Sequence, residues 1–94
     1  MYARLLRFSF GPGKRAEAQA LADEFAPLIA SQPGCEGVTV FGDDADGDYG
    51  IFVLWDTAEH ANTAAGVVRP KLDEHFAGNV TGPPEARLFE VLSG

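Results

Sequence analysis

The side chains in this sequence best suited to chemistry are one imidazole, one indole and the guanidiniums carried by its first strand. His75 lies three residues after Leu72 and next to Phe76. That helical spacing turns its ring toward the apolar interior, where a near-neutral imidazole can move a proton to or from a phenol. A partly buried histidine hydrogen-bonded to a loop is the structural alternative. His60 stands among charged neighbours at the start of the same helix and reads as solvated. Trp55 closes an apolar strand on the face shared by Val53 and Tyr49, so its ring can wall a planar substrate. Large aromatics at strand ends also close small cores, and packing is the competing role. The candidate proton acceptor is therefore His75, and the candidate substrate-binding set is Trp55, Phe8, Tyr49 and Arg7. Arg4 and Arg7 interrupt the apolar pattern of a strand expected at the centre of a sheet. Burial of either charge demands a partner: Glu90 on the neighbouring last strand can pair with one of them, a structural reading preferred to the alternative of an anion-binding role.

Other chemistries lack their residues. The run Asp43-Asp44-Ala45-Asp46-Gly47-Asp48 suggests calcium, but from Asp44 the EF-hand register needs Gly where Tyr49 stands and a carboxylate where Trp55 stands. A solvated hairpin tip accounts for it better. The sequence has no Gly-rich phosphate loop, Ser-His-Asp set or His-x-x-x-His pair. Cys35 is the single cysteine, which leaves no internal disulfide and no cysteine-based zinc site. The expectation is a protein that works with no metal and no cofactor.

Six elements must position these residues. Tyr2 to Phe10 alternates as a strand and stops at Gly11-Pro12-Gly13. Between Lys14 and Gln32, Ala18, Leu21, Ala22, Phe25, Leu28 and Ile29 recur at helical spacing. Val38 to Phe41 and Tyr49 to Trp55 read as a hairpin around Asp46-Gly47. Asp56-Thr57-Ala58-Glu59 has the form of a capping box led by Asp56, and Gly66 and Pro70 are expected to break the helix that follows into two pieces. Ala86 to Leu92 is the last strand. The order β-α-β-β-α-β predicts an α+β, ferredoxin-like fold in one domain spanning residues 1–94, with a four-stranded antiparallel sheet and both helices on one face. Strand three is apolar on both sides, with Phe52 and Leu54 opposing Tyr49, Ile51, Val53 and Trp55, and strand one repeats this. A homodimer is expected to hide the uncovered face.

Composition narrows the partners. Acidic residues outnumber basic ones by 14 to 7, for a net charge of -7, and the basic residues form no stripe. Nucleic acid is therefore excluded as a partner. No apolar run reaches the roughly 20 residues that span a bilayer, and the N-terminal residues read as a strand rather than a signal peptide, so no membrane partner and a cytoplasmic location are expected.

Pro33-Gly34-Cys35 before strand two, Leu54-Trp55-Asp56 at the end of strand three, and Thr57-Ala58-Glu59-His60-Ala61 opening helix two together resemble the antibiotic biosynthesis monooxygenase-like family. The likeness runs over nearly the whole chain. It implies a dimeric α/β barrel with a ligand cavity between sheet and helices in each subunit. Some members of that family oxidise aromatic polyketides or quinols with oxygen and neither metal nor flavin, and others degrade heme. The heme-degrading branch carries an Asn on strand one, a Trp within helix two and a His near that helix's end, of which only His75 has a counterpart here. The resemblance thus points to a cofactor-independent monooxygenase acting on a small planar aromatic such as a phenol, quinol or anthrone. A non-catalytic hydrophobic-ligand-binding or regulatory dimer and an isomerase or cyclase are the alternatives.

Overall fold

Leu6 and Phe8 of the first strand, Phe10 just beyond its end, and Tyr49, Ile51, Val53 and Trp55 of the third strand lie on one side of a sheet and are all buried there. This period-2 pattern fixes which sheet face the helices cover. The computed structural model describes all of residues 1–94. Its elements are β1 (Tyr2–Ser9), α1 (Arg15–Ala30), β2 (Cys35–Asp43), β3 (Asp48–Trp55), α2 (Ala58–Phe76) and β4 (Glu85–Glu90). The sheet is antiparallel with strand order β2-β3-β1-β4, the ferredoxin-like arrangement.

Both helices lay one apolar stripe on that face. Ala18, Leu21, Phe25 and Ile29 form the stripe of α1, and Ala61, Ala64, Val68, Leu72 and Phe76 that of α2. With the inner residues of β1 and β3 they make one continuous core, in which Phe25, Leu21 and Ile51 are the most enclosed. A buried side chain of that size contributes about 1.5–3 kcal/mol relative to exposure, so this stripe outweighs local helix breakers. That is why α2 runs unbroken through Gly66 and Pro70, where the sequence predicts two pieces. Its cap also differs from expectation. Thr57 is the N-cap, its hydroxyl accepting from the His60 N–H at 3.0 Å, while the Asp56 carboxylate lies 2.7 Å from His60 Nδ1 instead.

Strand β2 is longer than its apolar run because pairing with β3 carries it from Cys35 to Asp43, with a register shift between Cys35 and Gly37. Asp43 to Asp48 closes the hairpin as expected of a polar tip. Within it Asp44 is engaged on both sides, with Arg15 of α1 at 2.8 Å and the Tyr49 hydroxyl at 3.0 Å.

The other sheet face has no cover. Leu5 pairs across with Phe52, and Ala3 with both Leu54 and Phe89, so these apolar side chains are contiguous. Phe41, Phe52 and Phe89 remain about 40 % exposed (43%, 38% and 39%), which makes this face the largest concentration of exposed aromatic surface in the chain. Gly50 lies beneath Phe41, whose ring occupies the space a side chain at position 50 would need.

Candidate functional site

Along β1, even-numbered side chains face the helices and odd-numbered ones face away. Arg4 therefore shares the side of Leu6, while Arg7 stands on the uncovered side with Leu5. The two arginines that interrupt the same strand belong to different surfaces. Neither pairs with Glu90. The β1–β4 register sets Glu90 opposite Tyr2, Arg4 opposite Leu88 and Arg7 opposite Glu85. Arg4 instead crosses to the helix layer, where its Nη2 donates to Asn62 Oδ1 of α2 at 2.8 Å. Partial burial pulls the Arg4 guanidinium below its ordinary pKa, yet arginine stays protonated.

Between α2 and the sheet lies a cavity of about 190 Å³. Its inner wall is built from buried side chains: Leu6, Ile51, Val53 and Trp55 from the sheet, Ile29 from α1, and Ala61, Ala64, Val68 and Leu72 from α2. The less buried Arg4, Ala65, Arg69 and Ala86 mark its mouth, on the side of β4. Small residues on α2 make the space. Alanines at 61, 64 and 65 leave the gap between helix and sheet unfilled, and β4 contributes only Ala86. An enclosure of about 150 Å³ takes a benzene ring, so this one holds a substituted ring inside and further atoms at the mouth.

Trp55 both packs in the core and lines the cavity, and its Nε1–H is buried with no hydrogen-bond partner in the protein. A buried unpaired donor costs about 1–3 kcal/mol. Phe8 and Tyr49 are buried on the same sheet face but belong to an aromatic cluster with Phe10 and Phe76, beyond the cavity lining. Burial, the hydrogen bond to Asp44 and its charge push the Tyr49 phenol up, leaving it neutral around pH 7.

His75 is also outside the lining. Its ring stands edge-on to Phe25 of α1, with centroids 5.1 Å apart, and its Nε2 lies 3.2 Å from Glu24 Oε2. The expected inward orientation fails because of helix geometry. Leu72 and Phe76 point at the sheet, whereas His75, about 100° around the helix from Phe76, faces α1. His60 pairs with Asp56, whose carboxyl is held below its usual range chiefly by that hydrogen bond. No three His, Cys, Asp or Glu side chains converge.

Asn62 and Arg69 are the site residues that sequence reasoning missed. A signal existed: seven residues apart, they lie on one line of α2 beside the apolar stripe, and Arg4 has the parity of the core-facing residues.

Residues 1–65 match the family model of antibiotic biosynthesis monooxygenases. No curated protein matches the sequence. Among solved structures, a protein of unknown function from Nitrosomonas europaea superposes with a TM-score of 0.85 at 17% identity, covering 99% of this chain and 90% of its own. A monooxygenase from the gene ActVA-Orf6 of Streptomyces coelicolor, solved with nanaomycin D, gives 0.77 at 18% identity and covers 99% and 88%. SnoaB, a cofactor-independent oxygenase from Streptomyces nogalater, gives 0.75 at 22% identity and covers 99% and 94%. At these identities the likeness to solved structures shows the fold alone.

Proposed function

The chain belongs to the antibiotic biosynthesis monooxygenase family, and on that basis we propose that it is a cofactor-independent monooxygenase acting on a small planar phenol, quinol or anthrone. The single observation that carries this reading is the apolar cavity closed by Trp55, a slot of ring size with polar groups confined to its mouth and one wall. The substrate itself supplies the electrons. For an anthrone, loss of a proton to water at the cavity mouth gives a delocalised carbanion, and its reaction with O₂ converts the CH₂ group to the quinone C=O and releases one water. The chain's part is to hold the ring flat against Trp55, to exclude water, and to stabilise the ionised substrate from the Arg4–Asn62 pair. We assign His75 an interhelical packing role, since its ring is turned to Glu24 and Phe25 rather than to the cavity.

We further propose that the uncovered sheet face packs against a second copy. Leu5, Phe41, Phe52, Leu54 and Phe89 offer a contiguous apolar surface of the kind that isologous dimers bury.

One observation favours a second reading. The lining contains no imidazole, carboxylate or thiol, which suits a carrier of an aromatic ligand as well as an oxygenase. Oxygen uptake separates the two. With an anthrone, an oxygenase consumes one O₂ per quinone formed, releasing water, at a rate proportional to protein. Binding with no uptake above the protein-free rate would leave the carrier.

A further inference from the structure

Of the thirteen residues lining the cavity, eleven are hydrophobic, and the other two are Arg4 and Arg69. A cavity with two cations and no acid is a marked bias in a chain of net charge -7. The two arginines are not equivalent. Arg69 is already engaged: its Nε donates to Asp73 Oδ1 at 2.7 Å and its guanidinium lies over the Phe76 ring at 5.9 Å. Arg4 bonds only a neutral amide, that of Asn62, and forms none of the chain's ion pairs. A half-buried cation beside apolar walls is stabilised by an anion far more than by an amide. The second observation is independent. Trp55 is 3% exposed, and its Nε1–H has no partner. In the β1–β3 register Arg4 faces Val53, which makes Trp55, two residues on, its diagonal neighbour on the same sheet face. One small ligand on Arg4 can therefore lay its ring against the Trp55 side chain.

We propose that the cavity selects anionic aromatics, seating a carboxylate or phenolate oxygen on the Arg4 guanidinium while the ring packs against Trp55. This rests on the reading of the cavity as a ligand site. It specifies the charge the ligand carries, and it makes Arg4 the residue that determines specificity.

The test compares two probes of the same ring and nearly the same shape, 2-naphthoate and 2-naphthamide, titrated by calorimetry and by NMR. Trp55 is the only tryptophan, so its indole N–H gives a single, assignable resonance. The carboxylate should bind at least about tenfold more tightly than the amide, the scale of a charge-assisted hydrogen bond, and should move the indole resonance. Arg4→Met should erase that preference and keep the affinity for the amide. Lys71→Met, which removes an exposed cation, should leave the preference intact. Equal affinities in the wild-type protein, or a preference that survives Arg4→Met, would overturn the proposal and leave the cavity as an uncharged-ligand site. If neither probe binds, the cavity reading itself fails and the proposal falls with it. The wild-type comparison decides the matter even if Arg4→Met does not fold.

Discussion

Arg4 of β1 and Asn62 of α2 meet across the mouth of the cavity, 58 positions apart in sequence and 2.8 Å apart in space. The bond fixes where a flexible guanidinium points. Its exposure limits its worth to the fold to no more than about 1 kcal/mol. Asn62→Ala should therefore lower the thermal midpoint by no more than about 4–8 °C, yet weaken 2-naphthoate binding several-fold, because Arg4 then samples many rotamers. Calorimetry of unfolding and of binding on the same sample checks this. A large loss of stability with unchanged affinity would make the pair purely structural.

The β-α-β-β-α-β order and the inner face of the sheet were legible because β3 and α1 carry unbroken apolar periods and β1 carries one from Leu6 onward. The errors have physical causes. Gly66 and Pro70 read as breakers because propensity is local, whereas the stripe from Ala61 to Phe76 packs against the whole sheet. Asp56 read as a cap because its preference for His60 depends on a side-chain geometry that spacing alone does not reveal. His75 was placed inward by its neighbours Leu72 and Phe76, and the crossing of α1 decides otherwise. Trp55 lines the cavity, whereas the cavity's polar edge was not legible, because it joins a strand to a helix far along the chain.

The Asp56–His60 contact predicts a pH dependence. The folded pKa of Asp56 is depressed below its ordinary 3.8, chiefly by the hydrogen bond to His60. The contact therefore contributes its full stability above pH 3.8 and loses it as the pH falls through the lower, folded value. Urea unfolding should show a gap between wild type and His60→Ala that is present above pH 3.8 and closes below it. A gap that stays constant across that range would contradict the assignment.

Gly66 lies in the middle of α2, and a Cβ added there meets no atom within 4 Å. Gly66→Ala should thus stabilise the protein by about 0.5–1 kcal/mol, by removing backbone freedom from the unfolded chain with no new clash. Chemical denaturation should show a higher midpoint with an unchanged slope. A lower midpoint would mean that position 66 is covered in the working protein.

The apolar outer face predicts self-association. The protein should sediment at twice the chain mass at micromolar concentration, and Phe52→Glu should shift it to a monomer or unfold it, because a carboxylate buried without a partner costs several kcal/mol. A wild-type protein that stays monomeric and folded under those conditions would leave that face for another partner.

The central claim, that the space between α2 and the sheet is where the aromatic ring sits, is tested most directly by filling it. Ala65 lines the mouth and is only partly buried, so Ala65→Phe can project a ring into the cavity with little cost to the core. Calorimetric titration with 2-naphthol should show binding by the wild-type protein and by His75→Ala within about twofold of each other, and a loss of at least about tenfold in Ala65→Phe. Equal affinity in Ala65→Phe and wild type, with binding lost in His75→Ala, would place the ligand elsewhere and return His75 to the site.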